Sequence, residues 1–234
     1  MNWFQKKKHK ELDSWYELSS NDVGPETQNI LMEWLSVLPS SSHGILDMAA
    51  GQGYEARFMS KLGHRVTAYD GSRNMIRGSV YPVNQADMTN IKLPRASHEG
   101  ILVKDVWVFL TDEERCRSLD IFYNALVRGG SVLIMSQYSD TRAHILSNES
   151  SLPFKVIRSD FPSDDDWMRY VESSTNNGGE ILSIEYKTDS ESFDYESARA
   201  GFSLDLTAFP FNSAYSAENR WISGRNQWVA QLTK

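Results

Sequence analysis

The chain has 234 residues, a formal net charge of −7, 40% apolar residues and 12% aromatic ones. That is enough chain for one large domain or two small ones, and the acidic balance argues against a surface that coats nucleic acid. The single cysteine, Cys116, leaves no internal disulfide and suits a reducing, cytoplasmic setting. No apolar run approaches the length of a membrane span. Lys6-Lys7-Lys8-His9-Lys10 lacks the apolar stretch that follows the basic start of a secretory signal, and it reads as a solvated helix face.

Residues 1–43 precede the first strand and are too apolar for a disordered tail, with Trp3, Phe4, Leu12, Trp15, Tyr16 and Leu18. Pro25 fits the first turn of a helix carrying Ile30, Leu31, Trp34, Leu35 and Leu38, which ends at Pro39. These residues form a helical N-terminal cover. An alternation of strands and helices follows. The expected strands are 44–49, 65–70, 80–85, 100–104 and 131–136, with helices from 54 to 62 and from 72 to 77. Gly63 reads as the cap that closes the first of these helices. Thr111 with Glu114 three residues on is a capping box that opens a further helix bearing Leu119, Phe122 and Leu126. Gly129-Gly130 turns the chain into the fifth strand. Strands separated by helices predict a Rossmann-like, doubly wound, mostly parallel α/β sheet.

After residue 137 the alternation breaks. Phe154–Phe161 and 181–187 read as strands around a helix at 164–173, and Asp164-Asp165-Asp166 reads as its acidic first turn. A helix at 195–201 and strands at 202–211 and 227–232 complete the chain as a C-terminal antiparallel pair. The organisation predicted is a single domain. It has an N-terminal cover (1–43), a cofactor-binding core (44–137), an insert after strand five that shapes the acceptor pocket (138–190), and a C-terminal helix and strand pair (191–234).

The core is organised around Ile45-Leu46-Asp47-Met48-Ala49-Ala50-Gly51-Gln52-Gly53. Small residues at a strand-to-helix turn let backbone approach a ligand, and the helix N-terminus offers free N–H groups. Gly51-Gln52-Gly53-Tyr54-Glu55-Ala56 also fits the dinucleotide fingerprint, and Asp70 lies 19 residues beyond Gly51, so a nicotinamide oxidoreductase is a rival. Asp47 weighs against it, because a carboxylate before the first glycine suits a cationic ligand better than a diphosphate. Asp87 also has no role in dinucleotide binding. Asp47, Asp70, Asp87 and Asp105 all fall at the carboxyl ends of strands, where ligands of such sheets bind.

Over about residues 44–137 the chain resembles the class I S-adenosylmethionine-dependent methyltransferases of the small-molecule type. Residues 45–53 are similar to the family's first motif, with Ala49 in place of its first glycine. Tyr69-Asp70-Gly71-Ser72 with Met75 resembles the second motif, and Ala86-Asp87-Met88 followed by Leu93-Pro94 resembles the third. Lys104-Asp105-Val106-Trp107-Val108-Phe109-Leu110 resembles the segment that walls the methyl group. Leu126-Val127-Arg128-Gly129-Gly130 is similar to the family's turn, with Arg128 in place of proline.

The resemblance implies S-adenosyl-L-methionine as cofactor and methyl transfer to an O, N or C nucleophile of a small molecule. It implies that Asp47 and the Ala49–Gly53 backbone, Gly51 included, hold the methionine end. Asp70, with Gly71 and Ser72, would take the ribose, Asp87 and Met88 would frame the adenine, and Lys104 and Asp105 would lie at the methyl group. Tyr16 would close over the cofactor. Each has a structural alternative: Asp70 as a helix cap, Asp87 as a turn acid, Asp105 as a loop acid, and Tyr16 as core. Asp105, Tyr138 and His144 are the candidates for a general base, with Tyr215 and Arg220 further along. One cysteine and no paired-histidine spacing predict no metal site. Nucleic-acid and membrane partners are not expected. A non-catalytic partner subunit with the same fold is the third reading.

Overall fold

A computed structural model of the chain describes residues 22–39, 42–137, 142–146, 154–176, 180–185, 199–207 and 227–234. Helix α1 (Pro25–Val37) opens with its proline in the first turn, where no N–H partner is needed, and buries Leu31, Trp34 and Leu35. Strand β1 (Gly44–Met48) is buried along its whole length. The chain then runs through α2 (Tyr54–Lys61), β2 (Val66–Asp70), the short α3 (Arg73–Arg77), β3 (Val83–Gln85) and β4 (His98–Lys104). A 3-10 turn at Trp107–Phe109 leads to α4 (Asp112–Ala125). The predicted capping box starts α4: the Thr111 amide donates to Glu114 Oε2 at 2.9 Å, and the Glu114 amide donates to Thr111 Oγ1 at 3.3 Å.

Strand β5 (Leu126–Gln137) begins earlier than predicted: it takes in the glycine pair as a bulge, with Gly129 in left-handed backbone (φ 77°) and the register against β4 shifting between His98 and Gly100. The Gly129 amide donates to the Lys234 carbonyl, and the Lys234 amide donates to the Gly130 carbonyl, both at 3.0 Å. Pairing with the far end of the chain thus holds the glycines in the strand. Strand β3 is correspondingly shorter than predicted, since Val80–Pro82 precede it.

Beyond β5 lie β6 (Arg142–Leu146), β7 (Phe154–Ile157), α5 (Asp164–Asn176), β8 (Glu180–Glu185), β9 (Ser203–Thr207) and β10 (Gln227–Thr233). The predicted strand 154–161 stops at Ile157, where Arg158–Asp160 wind into a 3-10 turn. Positions 208–211 of the predicted strand 202–211 lie outside the described residues, as does most of the predicted helix 195–201.

The main sheet has seven strands in the order β3-β2-β1-β4-β5-β10-β9. β1 to β5 pair in parallel, while β10 runs antiparallel to β5 and β9. This is a Rossmann-like fold, closed at one edge by the antiparallel pair predicted at the C-terminus. Side chains alternate across it with the period of two that strands impose. Leu46, Met48, Ile101, Val103, Val132 and Ile134 face Leu119 and Phe122 of α4. Ile45, Leu102, Leu133 and Met135 face Trp34 of α1 and Ala56 and Met59 of α2. The described part of the insert forms its own antiparallel sheet, ordered β7-β6-β8. Trp167 and Val171 of α5 pack on its Ala143, Ile145 and Val156. Strand β8 runs beside the 3-10 turn that follows β4. No helix among the described residues is long and apolar enough to cross a membrane.

Candidate functional site

β2 and β3 extend to one side of β1, and β4 and β5 to the other. The strand order therefore reverses between β1 and β4, and their carboxyl ends flank the crevice where open α/β sheets take their ligands. The glycine turn follows β1 at this point. Ala49 (φ 62°), Gly51 (φ 55°) and Gly53 (φ 79°) all have left-handed backbone. For alanine that conformation costs about 1 kcal/mol, so the fold holds Ala49 there against its local preference. Gly53 cannot carry a side chain, since a Cβ would come within 2.9 Å of Tyr81 Cβ.

Asp70, at the end of β2, organises this turn. Its Oδ2 accepts from the Gly51 amide at 2.8 Å and its Oδ1 from the Ser72 amide at 2.7 Å. Ser72 in turn caps α3, its Oγ accepting from the Met75 amide at 3.3 Å. The Gly71 carbonyl accepts from Gln85 Nε2. Helix capping thus falls to Ser72, while the Asp70 carboxylate ties the glycine turn to the loop after β2. A carboxylate already on the Gly51 amide makes this turn a poor cradle for a diphosphate.

Asp47 is 2% exposed, and its Oδ2 has no hydrogen-bond partner among the described residues. Burial, and then the charge of Glu55, push its carboxyl well above the ordinary carboxylate range, against the opposing pull of Lys104 and the Ala56 amide. Next to it on the same sheet face stands Lys104. Its Nζ lies 2.6 Å from Asp105 Oδ2 and 3.3 Å from Glu55 Oε1. Burial works against the charge of Lys104, but the carboxylates of Asp105 and Glu55 outweigh it and hold the ammonium above the usual lysine range. Asp105 has left-handed backbone (φ 56°), with its amide donating to the Met135 carbonyl.

Asp87 stands after β3, where its Oδ1 accepts from both the amide and the hydroxyl of Thr89, at 2.9 and 2.8 Å. These bonds close the turn after β3. Met88 is buried in the core beside Met48 and Trp107. His144 lies on β6, opposite Lys155 and Ser183, in the insert sheet rather than at the ends of the main strands. Tyr16, Tyr138, Tyr215 and Arg220 lie outside the described residues. No group of three His, Cys, Asp or Glu among the described residues is arranged to hold a metal.

Glu55 has no role in the sequence reading beyond filling a helical turn. The acidic first turn of α2 was the signal for it, and only the pairing of β1 with β4 brings it to Lys104. Ser136 is a second such residue, since its buried hydroxyl near the end of β5 lacks a partner among the described residues. A cavity of about 420 Å³, lined in part by Leu35, Pro39, His43, Arg65 and Glu99, opens at the opposite edge, beside the starts of β1, β2 and β4. It is remote from the acids described above.

Residues 46–134 match a family model described as a methyltransferase domain. No curated protein matches the chain. Among solved structures, the chain is similar to an S-adenosylmethionine-dependent methyltransferase from Mesorhizobium loti (TM-score 0.58, 15% identity, covering 87% of this chain and 96% of that one). It is also similar to phosphoethanolamine N-methyltransferase 2 from Haemonchus contortus in complex with S-adenosyl-L-methionine (TM-score 0.59, 15% identity, covering 96% of this chain and 56% of that one). A third likeness is to a SAM-dependent methyltransferase from Archaeoglobus fulgidus (TM-score 0.58, 13% identity, 89% and 93% covered). At these identities the likeness is one of fold.

Proposed function

We propose that this chain, a class I S-adenosylmethionine-dependent methyltransferase, methylates a small molecule on an oxygen, nitrogen or carbon nucleophile. The observation that carries the cofactor half of this reading is Asp47. A buried carboxylate with an oxygen left over, at the switch point of the sheet, is costly unless a cation meets it. Asp47 would hold the cationic methionine end, with the backbone of Ala49 to Gly53 against it. Asp70, fixed by two backbone amides, would face the ribose, beside Gly71 and Ser72. Asp87 and Met88 would border the adenine.

The cofactor supplies an activated methyl on a sulfonium that leaves as a neutral thioether, so charge disperses and little acid–base machinery is required. The chain's contribution is then to hold the acceptor in line and keep water out. Lys104 and Asp105 border that region, and Asp105, paired with Lys104 through Oδ2, is the candidate proton acceptor among the described residues. The small-molecule reading rests on the net charge of −7, which repels a polyanion, and on the insert, whose β8 lies against the turn after β4. A single cysteine accords with work in the cytoplasm.

Titration calorimetry with S-adenosylhomocysteine and with NADH tests the cofactor. We expect heat from the first alone, and binding of NADH alone would overturn the reading. Incubation with S-adenosylmethionine and a metabolite extract, followed by a search for mass gain of one methylene, tests the acceptor. Tight cofactor binding without any methylated small molecule would favour a non-catalytic subunit.

A further inference from the structure

The crevice between the ends of β1 and β4 is crossed by an ion pair. Glu55 reaches in from the first turn of α2, on the β1 side, and Lys104 ends β4 on the other. The two are 3.3 Å apart, and both are largely shielded from water, at 16% and 28% side-chain exposure. Asp105 holds the same ammonium from the solvent side at 2.6 Å, and Asp47 lies buried within electrostatic reach of both Glu55 and Lys104. Two carboxylates thus hold one built-in cation, beside the buried Asp47, at the place assigned to a cationic ligand. A cation there opposes a ligand cation directly, while Glu55 favours one.

We propose that Lys104 and Glu55 set the charge met by the cofactor's sulfur, and so fix how strongly the protein prefers S-adenosylmethionine to its product S-adenosylhomocysteine. This rests on the cofactor reading above. The two molecules share the adenosyl and amino-acid ends and differ by a methyl and one positive charge on sulfur. Contacts made equally to both cancel in the ratio of their affinities, so the ratio responds to groups that sense the sulfur's charge. Across several ångströms of partly shielded protein, one unit charge changes that ratio by about tenfold. With Lys104 present the sulfonium is disfavoured, product is retained more strongly relative to substrate, and Glu55 limits the effect. Both are positioning residues that tune specificity through charge.

The test is the ratio of the two dissociation constants, by calorimetry at one salt concentration, in wild type, Lys104→Met, Glu55→Gln and the double variant. Circular dichroism and Tm report the fold. Lys104→Met is expected to move the ratio about tenfold toward S-adenosylmethionine, and Glu55→Gln about tenfold the other way. The double variant restores the net charge and should return close to the wild-type ratio. Glu55→Gln leaves Lys104 held by Asp105, so it reads the effect even if Lys104→Met does not fold. A ratio unmoved in the folded single variants, with both affinities falling in parallel, would overturn the proposal and make the ion pair a strut. Wild-type protein that binds neither ligand would instead overturn the cofactor reading, and the proposal with it.

Discussion

At the amino ends of the main strands, polar groups close on one another. Trp34 Nε1 donates to Ser131 Oγ at 2.8 Å, and the indole lies on Gly100, where a Cβ would come within 2.8 Å of it. Arg65 donates to the Ser42 carbonyl at 2.9 Å, and Ser97 Oγ meets His98 Nδ1 at 2.8 Å. Burial, with Arg65 and His43 nearby, lowers the His98 pKa and favours a neutral ring. At the carboxyl ends the same sheet leaves Asp47 Oδ2 and Ser136 Oγ without partners among the described residues. Two of the three described non-glycine residues with left-handed backbone, Ala49 and Asp105, sit there as well. The third, Ala96, lies in the turn before β4, its amide fixed on the Asn124 carbonyl. One edge is spent on stability, and the other keeps strained backbone and unpartnered polar atoms in reserve for a ligand.

This contrast can be broken most forcefully at the closed edge. Trp34→Ala removes a buried indole and orphans the Ser131 hydroxyl, and should cost about 3–5 kcal/mol of stability. The protein that remains folded should bind S-adenosylhomocysteine normally, and chemical denaturation beside calorimetry checks both halves. A loss of affinity matching the loss of stability would mean that the two edges are not independent.

Asp70→Ala is comparable in size, because it removes two charge-assisted hydrogen bonds to backbone, at about 1.5–3 kcal/mol each at most. It should lower Tm and weaken cofactor binding together, since the same carboxylate fixes the glycine turn. An unchanged Kd would remove Asp70 from the site.

Asp47→Asn should act with the opposite sign on the fold. The folded protein retains a proton on Asp47 that the unfolded chain releases above its ordinary value of 3.8. The penalty is therefore absent below that pH, grows as pH rises toward the elevated folded value, and is fully present beyond it. At neutral pH the variant should gain about 1–2 kcal/mol, visible as a Tm raised by several degrees, while cofactor affinity falls at least about tenfold. The gain in Tm should shrink as the buffer is taken toward pH 4. A variant both less stable and unimpaired in binding would contradict the proposed role of this acid.

Much of the site was legible because its signals are local. The spacing of Asp47 and Asp70 to their strands, the glycines at 51 and 53, and the Thr111–Glu114 box can all be read within a few residues. Asp87 could be read as adenine ligand or turn acid, and its Oδ1 bonds to Thr89 are those of a turn, a role that adenine contact can accompany. The partner of Glu55 could not be read at all, since nothing near position 55 points to position 104. The continuation of β5 through Gly129-Gly130 was equally hidden, because it depends on Lys234 at the other end of the chain.

The sequence by itself determined the succession of strands and helices, the caps, and the acids at the strand ends, because periodicity and turn chemistry act over a few residues. Only the tertiary structure decided that β1 and β4 lie side by side, that Asp70 grips the glycine turn, and that Lys104 sits between Glu55 and Asp105 at the crevice. Those facts follow from strand order, which joins residues tens of positions apart through hydrogen bonding and charge, and no local pattern encodes that pairing.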